Sequence, residues 1–210
     1  MAEQLTTVHL VRHGEVHNPS GLLYGRLPGF PLSGLGHTMA ARVAEVLGER
    51  DVRHVCASPL ERTRQTAQPL ADRRGLEVVA DDRAVEAGSH LEGRRLAGGR
   101  GVLRDPAAWR YLWNPVRPSW GEPYAEVVAR MLLAVAAARD AARGHEAVLV
   151  SHQLPIWATR RHLEGRSRVH DPRRRQCSLC SVTSLRFAGD HVVRVEYSEP
   201  AADLLPVLRS

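Results

Sequence analysis

An arginine and a histidine stand side by side where the sequence changes abruptly from apolar to charged. Residues 5–11 are apolar and rich in β-branched types, which predicts a buried strand that gives way to the loop Arg12-His13-Gly14-Glu15. The guanidinium of Arg12 could hold two oxygens of a phosphate ester, and the imidazole of His13 could attack phosphorus in line. The same dipeptide could also lie on the surface of an Arg-rich protein, so the rest of the chain must decide.

Three more predicted strands end in a polar side chain of a related kind. Arg62 follows the second strand, Glu86 follows the third and His152 follows the fourth. In an alternating βα chain with right-handed crossovers, the ends of these strands share one edge of the sheet. With Arg12 and His13, that edge would carry two guanidinium groups, two imidazoles and one carboxyl group.

This set of groups is what phosphoryl transfer through a covalent intermediate requires. One histidine attacks phosphorus, the other cations neutralise the equatorial oxygens, and an acid protonates the departing oxygen. The sequence contains neither a Walker-type Gly-rich loop nor an Asp cluster that could hold magnesium. We therefore expect the cationic side chains to take the place of a metal ion.

The elements that must position these residues alternate between strands and helices, which predicts an α/β fold. Strands are predicted at residues 5–11, 52–57, 76–80, 148–150, 181–187 and 192–197. Helices are predicted at residues 35–49 with Ser33 as the cap, from Ser58-Pro59 onward, at 122–143, and from Pro155 to 163. The apolar face predicted for the first helix consists of Met39, Val43, Val46 and Leu47.

The character of the sequence changes between residues 88 and 121, which are rich in Gly, Pro, Arg and aromatic residues. We interpret this segment as a partly helical cap inserted over the site, with residues 105–113 as its helix. Its aromatic side chains fit the core of the cap better than substrate contacts. Its arginines, Arg100, Arg104, Arg110 and Arg117, could bind a second anionic group or form a solvated helix face. Apart from this insertion, residues 1–210 are predicted to form a single domain.

Composition narrows the classes of function. With 43% hydrophobic and 25% charged residues, the 210-residue chain is typical of a soluble globular protein. All 29 basic side chains are arginine, and the net charge of +6 favours anionic ligands. These arginines are scattered, with a single run at Arg173-Arg174-Arg175, and this distribution argues against a nucleic-acid partner.

Apolar runs and cysteines indicate a cytoplasmic protein without a membrane partner. The longest uninterrupted apolar run, residues 131–138, is too short to cross a bilayer. The first predicted strand begins so early that we expect no signal peptide. Three cysteines are few and odd in number, which fits a reduced compartment. Cys177 and Cys180 have the spacing of half a metal site, but no second pair completes it.

Short motifs along most of the chain resemble those of the histidine phosphatase superfamily, the phosphoglycerate-mutase-like enzymes. The motifs are Leu10-Val11-Arg12-His13-Gly14-Glu15, Gly25-Arg26-Leu27-Pro28-Gly29, Leu32-Ser33 with Leu35-Gly36, Ser58-Pro59-Leu60-Glu61-Arg62-Thr63-Arg64-Gln65-Thr66-Ala67, Glu92-Gly93, and Val150-Ser151-His152. The expected fold is then a three-layer αβα sandwich around a mostly parallel sheet, with the partly helical cap inserted.

The resemblance implies a role for each residue at the strand ends. His13 would become phosphohistidine, and Arg12, Arg62 and His152 would form the phosphate pocket. Glu86 would be the general acid and then the base that activates water. Neither a metal ion nor an organic cofactor is expected.

A few positions depart from the family's usual pattern. Asn18, the expected phosphate ligand, stands five residues after His13 where the family commonly has six. Gln153 occupies a position that is often Gly, so a side chain would border the pocket. The stretch from Glu86 to Glu92 is about one residue short, which makes Glu92 the alternative acid.

The resemblance leaves several functions open. We expect a phosphatase that hydrolyses a small phosphate ester, with a phosphoglycerate-mutase-type phosphoryl transfer as the alternative. A binding module that keeps the pocket without turnover is the competing class, and loss of turnover in a His13→Ala variant would separate the two. An exposed sheet edge could pair with a second copy of the chain to give a homodimer.

Overall fold

The computed structural model describes residues 5–95, 121–167 and 175–205, and its centre is a six-stranded sheet. The strands are β1 (Leu5–Arg12), β2 (Val52–Ala57), β3 (Val78–Ala80), β4 (Glu146–Ser151), β5 (Val182–Ala188) and β6 (His191–Ser198). They lie in the order β3-β2-β4-β1-β5-β6. Strands β1 to β4 are mutually parallel, whereas β5 is antiparallel to both of its neighbours. The sheet is therefore mostly parallel, as predicted.

Helices cover both faces of this sheet. One face carries α1 (Gly34–Gly48) and α2 (Glu61–Arg74), and the other carries α3 (Tyr124–Ala141) and α4 (Gln153–Leu163). This arrangement is the predicted three-layer αβα sandwich. Within the described ranges, the helices are all too short or too polar to span a membrane.

Strand β1 lies in the middle of the sheet and is covered on both faces. Val8 and Leu10 belong to the core beneath α3 and α4, whereas Val11 belongs to the core beneath α1 and α2. All three side chains are completely buried. A parallel strand in this position reads as a nearly continuous apolar run, which explains why the sequence signal for β1 is strong.

The buried face of α1 differs from the prediction at one position. Ser33 caps the helix as expected, since its side chain accepts a hydrogen bond from the Gly36 amide. Val46 was predicted to face the core, but it is 47% exposed. The core positions next to Val43 are filled by Ala40 and Ala44 instead, because the i, i+3, i+4 stripe passes through them and leaves Val46 on the solvent side.

Each helix begins one or two residues away from its predicted start. Helix α2 begins at Glu61 rather than at Pro59, and its cap residue is Leu60 without a side-chain hydrogen bond. Ser58 is therefore free of the capping role that the Ser-Pro pattern indicated. Helix α4 begins at Gln153, two residues before Pro155, directly after the end of β4.

Most of the predicted cap lies outside the described residues. Residues 96–120, which include the predicted helix at 105–113 and the cap arginines, are not among the described residues. Arg173 and Arg174 of the basic run also lie outside them. At the ends of the segment, isolated β-bridges join Ser89 to Gly121 and Leu22 to Arg95. The boundaries of the cap, the single domain and the pairing of two chains through a sheet edge stay predictions.

A charged network closes the end of the sheet opposite the predicted site. The buried His9 donates a hydrogen bond from Nε2 to Oε2 of Glu146 at 2.8 Å. Arg50 binds the same carboxylate through two nitrogens, at 2.6 and 2.8 Å. Burial alone would raise the pKa of Glu146, but the hydrogen bonds from His9 and Arg50 outweigh it and lower the pKa to about 2.

We predict that Glu146→Gln destabilises the protein by about 1–2 kcal/mol at neutral pH, a value reduced for the partial exposure of the pair. Because folding lowers the pKa of this carboxyl, its contribution is complete above about pH 4.5 and disappears as the pH falls towards 2. Urea unfolding of both proteins at neutral pH and at about pH 3 measures the difference. Glu49→Gln, at an exposed pair with Arg73, is the matched control and should change little. An equal loss at both pH values would contradict this account.

Candidate active site

The loop after β1 is fixed by its own backbone to neighbouring strands and helices. The His13 amide donates to the carbonyl of Ser151 at 3.1 Å, which continues the β1–β4 ladder by one residue. The next amide, of Gly14, donates to Oγ1 of Thr66 on α2 at 3.1 Å. His13 therefore lies where the first and fourth strands end, as the junction argument predicted.

Two glycines bring this loop against the start of α1. A Cβ atom on Gly14 would lie 2.7 Å from the Gly36 carbonyl oxygen, and one on Gly36 would lie 2.1 Å from the Glu15 carbonyl oxygen. Such a distance leaves no room for any side chain. The Ser33 hydroxyl also donates a short hydrogen bond to the Glu15 carboxylate. Glu15 thus attaches the loop to the helix cap.

The imidazole of His13 is held in one tautomer. Its Nδ1 lies 2.8 Å from the Gly14 carbonyl oxygen, which can only accept, so the proton is on Nδ1 and Nε2 carries the lone pair. The side chain is 2% exposed. Burial, followed by the neighbouring cations Arg12 and Arg62, lowers the pKa of His13 well below its ordinary value. A neutral ring with an unprotonated Nε2 is the form of histidine that acts as a nucleophile.

Arg12, which is half-buried, and Arg62, which is buried, place positive charge next to this ring. Arg12 donates to the Cys177 carbonyl at 2.7 Å, and Arg62 donates to the Gly25 carbonyl at 2.6 Å. The Nε atoms of both arginines are buried and have no hydrogen-bond partner among the described residues. Arg62, although a charged residue, is 1% exposed. Donors left open in this way are suited to hold an anion.

The second histidine lies against the first. The ring centroids of His13 and His152 are 5.1 Å apart in an edge-to-face arrangement. Nδ1 of His152 lies 3.5 Å from an Arg62 nitrogen, and Nε2 lies 3.0 Å from the hydroxyl of Ser58. Burial, and then the charges of His13 and the arginines, lowers the pKa of His152 well below its ordinary value. Because a hydroxyl both donates and accepts, Ser58 can support the ring in either tautomer.

The candidate acids Glu86 and Glu92 lie in different places. Glu86 lines the same cavity as Arg12 and His13, whereas Glu92 accepts a hydrogen bond from the Ser89 amide at 3.2 Å and is not part of the cavity wall. Burial raises the pKa of Glu86, although the Ala87 amide and nearby arginines oppose the shift. A carboxyl group that retains its proton to higher pH is suited to general acid catalysis.

A cavity of about 790 Å³ opens over Arg12, His13 and Glu86. Asn18 lines it, but its amide makes two hydrogen bonds to the backbone of Leu22, at 2.8 and 3.1 Å, and so shapes the 18–22 loop. Gln153 also lines it and reaches the Cys177 carbonyl at 3.4 Å. The roles of Asn18 and Gln153 in binding phosphate stay predictions.

Ser58 and Tyr24 are site residues that the sequence analysis missed. The Tyr24 ring lies 4.8 Å from the Arg62 guanidinium carbon and meets the edge of His13 at 6.4 Å between centroids. Phe30 stacks on Tyr24 with 5.3 Å between the ring centroids. The available signals were an aromatic residue in a Gly- and Pro-rich loop, and a serine directly at the end of the second strand.

The two cysteines singled out from the sequence do not contribute their thiols to this group. Cys177 and Cys180 are buried free thiols, and burial raises the pKa of each, that of Cys180 to about 12. The Cys177 carbonyl, rather than its sulfur, takes part in the site by accepting from Arg12.

A family model describing the histidine phosphatase superfamily (branch 1) matches residues 8–200, which include the four strand ends and all the residues above. The chain belongs to that superfamily. This confirms the resemblance carried by the sequence motifs, and it makes a phosphatase-type enzyme the general class of the protein.

Proteins similar to this chain have names that point to different activities. An uncharacterized protein of Mycobacterium tuberculosis, Rv0525, is 55% identical over 94% of this chain and 98% of its own length. A probable phosphoglycerate mutase of Yersinia enterocolitica, GpmB, is 32% identical over 86% of this chain and 84% of its own. Among solved structures, mycobacterial glucosyl-3-phosphoglycerate phosphatase Rv2419c is similar with a TM-score of 0.72 and 27% identity, covering 92% of this chain and 96% of that one.

We predict that Ser58→Ala lowers kcat about tenfold and leaves KM nearly unchanged, because His152 loses the hydrogen bond that orients its ring. Steady-state kinetics with p-nitrophenyl phosphate provide the measurement. Ser184→Ala is the matched control, since that hydroxyl contacts His9 at 2.8 Å, away from the cavity. It should affect stability and not kcat. Equal kcat values in the two variants would show that Ser58 does not position His152.

Proposed function

We propose that the protein is a phosphomonoester hydrolase that acts through a phosphohistidine intermediate on a small phosphorylated metabolite. The observation that carries the proposal is the state of His13, whose Nδ1 is bound to the Gly14 carbonyl and whose Nε2 is left unprotonated beside Arg12 and Arg62. A nucleophile surrounded by open cationic donors fits a tetrahedral dianion that is attacked at its centre.

In the first step, Nε2 of His13 forms a bond to phosphorus while the bond from phosphorus to the ester oxygen breaks. Arg12 and Arg62 neutralise charge on the equatorial oxygens, and the neutral ring of His152 supplies one hydrogen bond, so that charge in the transition state meets groups already in place. The departing oxygen takes a proton from Glu86. The products of this step are the free alcohol and phosphohistidine.

In the second step, water attacks phosphorus and the bond from Nε2 to phosphorus breaks. Glu86, now ionised, accepts a proton from that water, so the step regenerates both His13 and the protonated acid. Inorganic phosphate leaves. The charge on the phosphoryl group is neutralised throughout by side chains of this chain, and we propose that turnover is independent of metal ions.

The names of two similar proteins bear on the substrate. Glucosyl-3-phosphoglycerate phosphatase, a solved structure 27% identical to this chain, supports hydrolysis. The probable phosphoglycerate mutase, 32% identical, supports the second candidate, in which the phosphoryl group is returned to a phosphoglycerate instead of to water. Isomerisation of 3-phosphoglycerate without net release of phosphate would distinguish this candidate from the first.

We predict that the wild-type protein releases phosphate from phosphomonoesters in the presence of a chelator and that His13→Ala reduces release by at least about 1,000-fold. The reason is that Nε2 of His13 is the atom that attacks phosphorus in the proposed first step. His37→Ala, an exposed histidine on α1, is the control and should retain full activity. Full activity in the His13 variant would eliminate the proposed mechanism.

We predict that Glu86→Gln reduces hydrolysis of an alkyl phosphate about 100-fold or more, whereas Glu92→Gln has a small effect. An aryl ester has a leaving group that needs no proton, so Glu86→Gln should still give a rapid burst of p-nitrophenol from p-nitrophenyl phosphate. In the wild type, alkyl phosphate hydrolysis should decline as the pH rises through the pKa of Glu86, which burial raises, and the variant should lose this decline. The opposite pattern would make Glu92 the acid.

A further inference from the structure

The residue assigned here as the acid stands on a segment without regular structure. Glu86 follows the short 3-10 turn Asp82–Ala84 and precedes Gly88, and no strand or helix includes residues 85–88. A general acid must be held within hydrogen-bond reach of the departing oxygen, and a small displacement of such a group is costly in rate. The structure must therefore provide another means of holding this segment.

A single arginine of α3 binds the backbone of this segment at three carbonyl groups. Arg130 donates from NH1 to the carbonyls of Arg83 and Val85, both at 2.6 Å. It donates from NH2 to the carbonyl of Glu86 at 3.3 Å. A planar guanidinium with several fixed donors is suited to hold successive carbonyls in one geometry, and charged donors make stronger hydrogen bonds than neutral ones.

The guanidinium of Arg130 is itself held by the first residues before α3. Glu122 accepts from Nε of Arg130 at 2.8 Å and from its NH2 at 3.0 Å. The side chains of this pair are 17% and 16% exposed. The same carboxylate accepts from the Gly88 amide at 3.3 Å. Arg130 and Glu122 therefore form hydrogen bonds to the backbone at both ends of the segment that carries Glu86.

Arg26, from the loop that also carries Tyr24, completes the set. It donates from Nε to the carbonyl of Glu86 at 2.6 Å and from NH2 to Glu122 at 2.7 Å. The Glu86 carbonyl thus receives hydrogen bonds from two guanidinium groups. We call Arg26, Glu122 and Arg130 the Glu86 clamp.

A close backbone contact keeps the clamp next to the segment. The Glu122 amide donates to the Gly88 carbonyl at 2.9 Å. A Cβ atom on Gly121 would lie 2.2 Å from that carbonyl oxygen, so only glycine allows the start of α3 to approach so closely. This contact places Glu122 within reach of both arginines.

We infer that the Glu86 clamp positions the candidate general acid for protonation of the leaving group, with Arg130 as its central residue. The inference rests on the proposed function, because it assigns to the clamp a step of that reaction. The clamp residues bind the backbone of the acid's segment and none of them donates to the Glu86 carboxyl group. They are therefore positioning residues and not catalytic ones.

The leaving group of the substrate separates a positioning role from a merely structural one. The kcat/KM value of an alkyl ester such as glycerol phosphate depends on the acid, whereas that of p-nitrophenyl phosphate does not. We expect Arg130→Met to lower kcat/KM for glycerol phosphate at least about tenfold while changing that for p-nitrophenyl phosphate less than about threefold. Competitive inhibition by inorganic phosphate should be unchanged, since Arg12, Arg62 and His152 remain in place.

Two further variants keep the test decisive if Arg130→Met folds poorly. Glu122→Gln removes the negative charge that pairs with Arg26 and Arg130 and retains the shape of the side chain. Arg26→Met removes one hydrogen bond to the Glu86 carbonyl, and its side chain is 40% exposed, so the core is not disturbed. Both should shift the ratio of the two kcat/KM values in the same direction as Arg130→Met.

Arg139→Met on the same helix is the matched control. Arg139 is also largely buried, but it pairs with Asp140 and Asp190 on another side of the fold. This variant should lose stability without changing the ratio of the two esters. Folded clamp variants with an unchanged ratio would overturn the positioning role alone. Absence of phosphate release from both esters by the wild-type protein would overturn the proposed function, and the positioning role with it.

Discussion

The structure depends on the positive charge that Arg12 and Arg62 place at one edge of the sheet, beside a Glu86 carboxyl group whose pKa is raised by burial. Arg62 is almost fully buried, and neither it nor Arg12 forms an ion pair within the described residues. Buried charge of this kind is costly unless an opposite charge compensates it. A bound phosphate dianion would supply that charge, and His13, whose pKa is lowered by burial and then by the same cations, would face its phosphorus atom. The same positive charge is thus costly to bury and suited to bind a phosphate ester.

The remainder of the fold holds this group in place. The strand ends bring together residues far apart in the chain, and the close contact of Gly14 with Gly36 fixes the nucleophile's loop against α1. At the opposite end of the sheet, the Glu146 carboxylate is fully paired with His9 and Arg50. Charges at that end stabilise the fold, whereas Arg12 and Arg62 at the site each keep a buried Nε donor without a hydrogen-bond partner among the described residues. This division is the physical basis for assigning function to one edge only.

Much of this could be predicted from the sequence because strand ends are local features. Apolar runs followed by a polar residue located His13 and His152, and chain alternation placed them together. Contacts between distant residues could not be predicted from the sequence. Ser58 had the pattern of a helix cap, and nothing in the sequence indicated that Arg130 would bind the carbonyl of Glu86. The prediction for Val46 was wrong because the buried stripe of α1 runs through Ala40 and Ala44, which leaves Val46 on the solvent side. Apolar character alone does not reveal which of these residues face the core.

The central claim is that His13 carries the phosphoryl group. The most direct test is to mix the wild-type protein with a phosphomonoester and chelator, quench it rapidly in alkali, and locate any added mass by peptide mass spectrometry. The account predicts one phosphoryl group on His13, labile in acid, absent from His13→Ala and accumulating in Glu86→Gln. Phosphate release without any covalent intermediate, or a phosphoryl group on another residue, would contradict it.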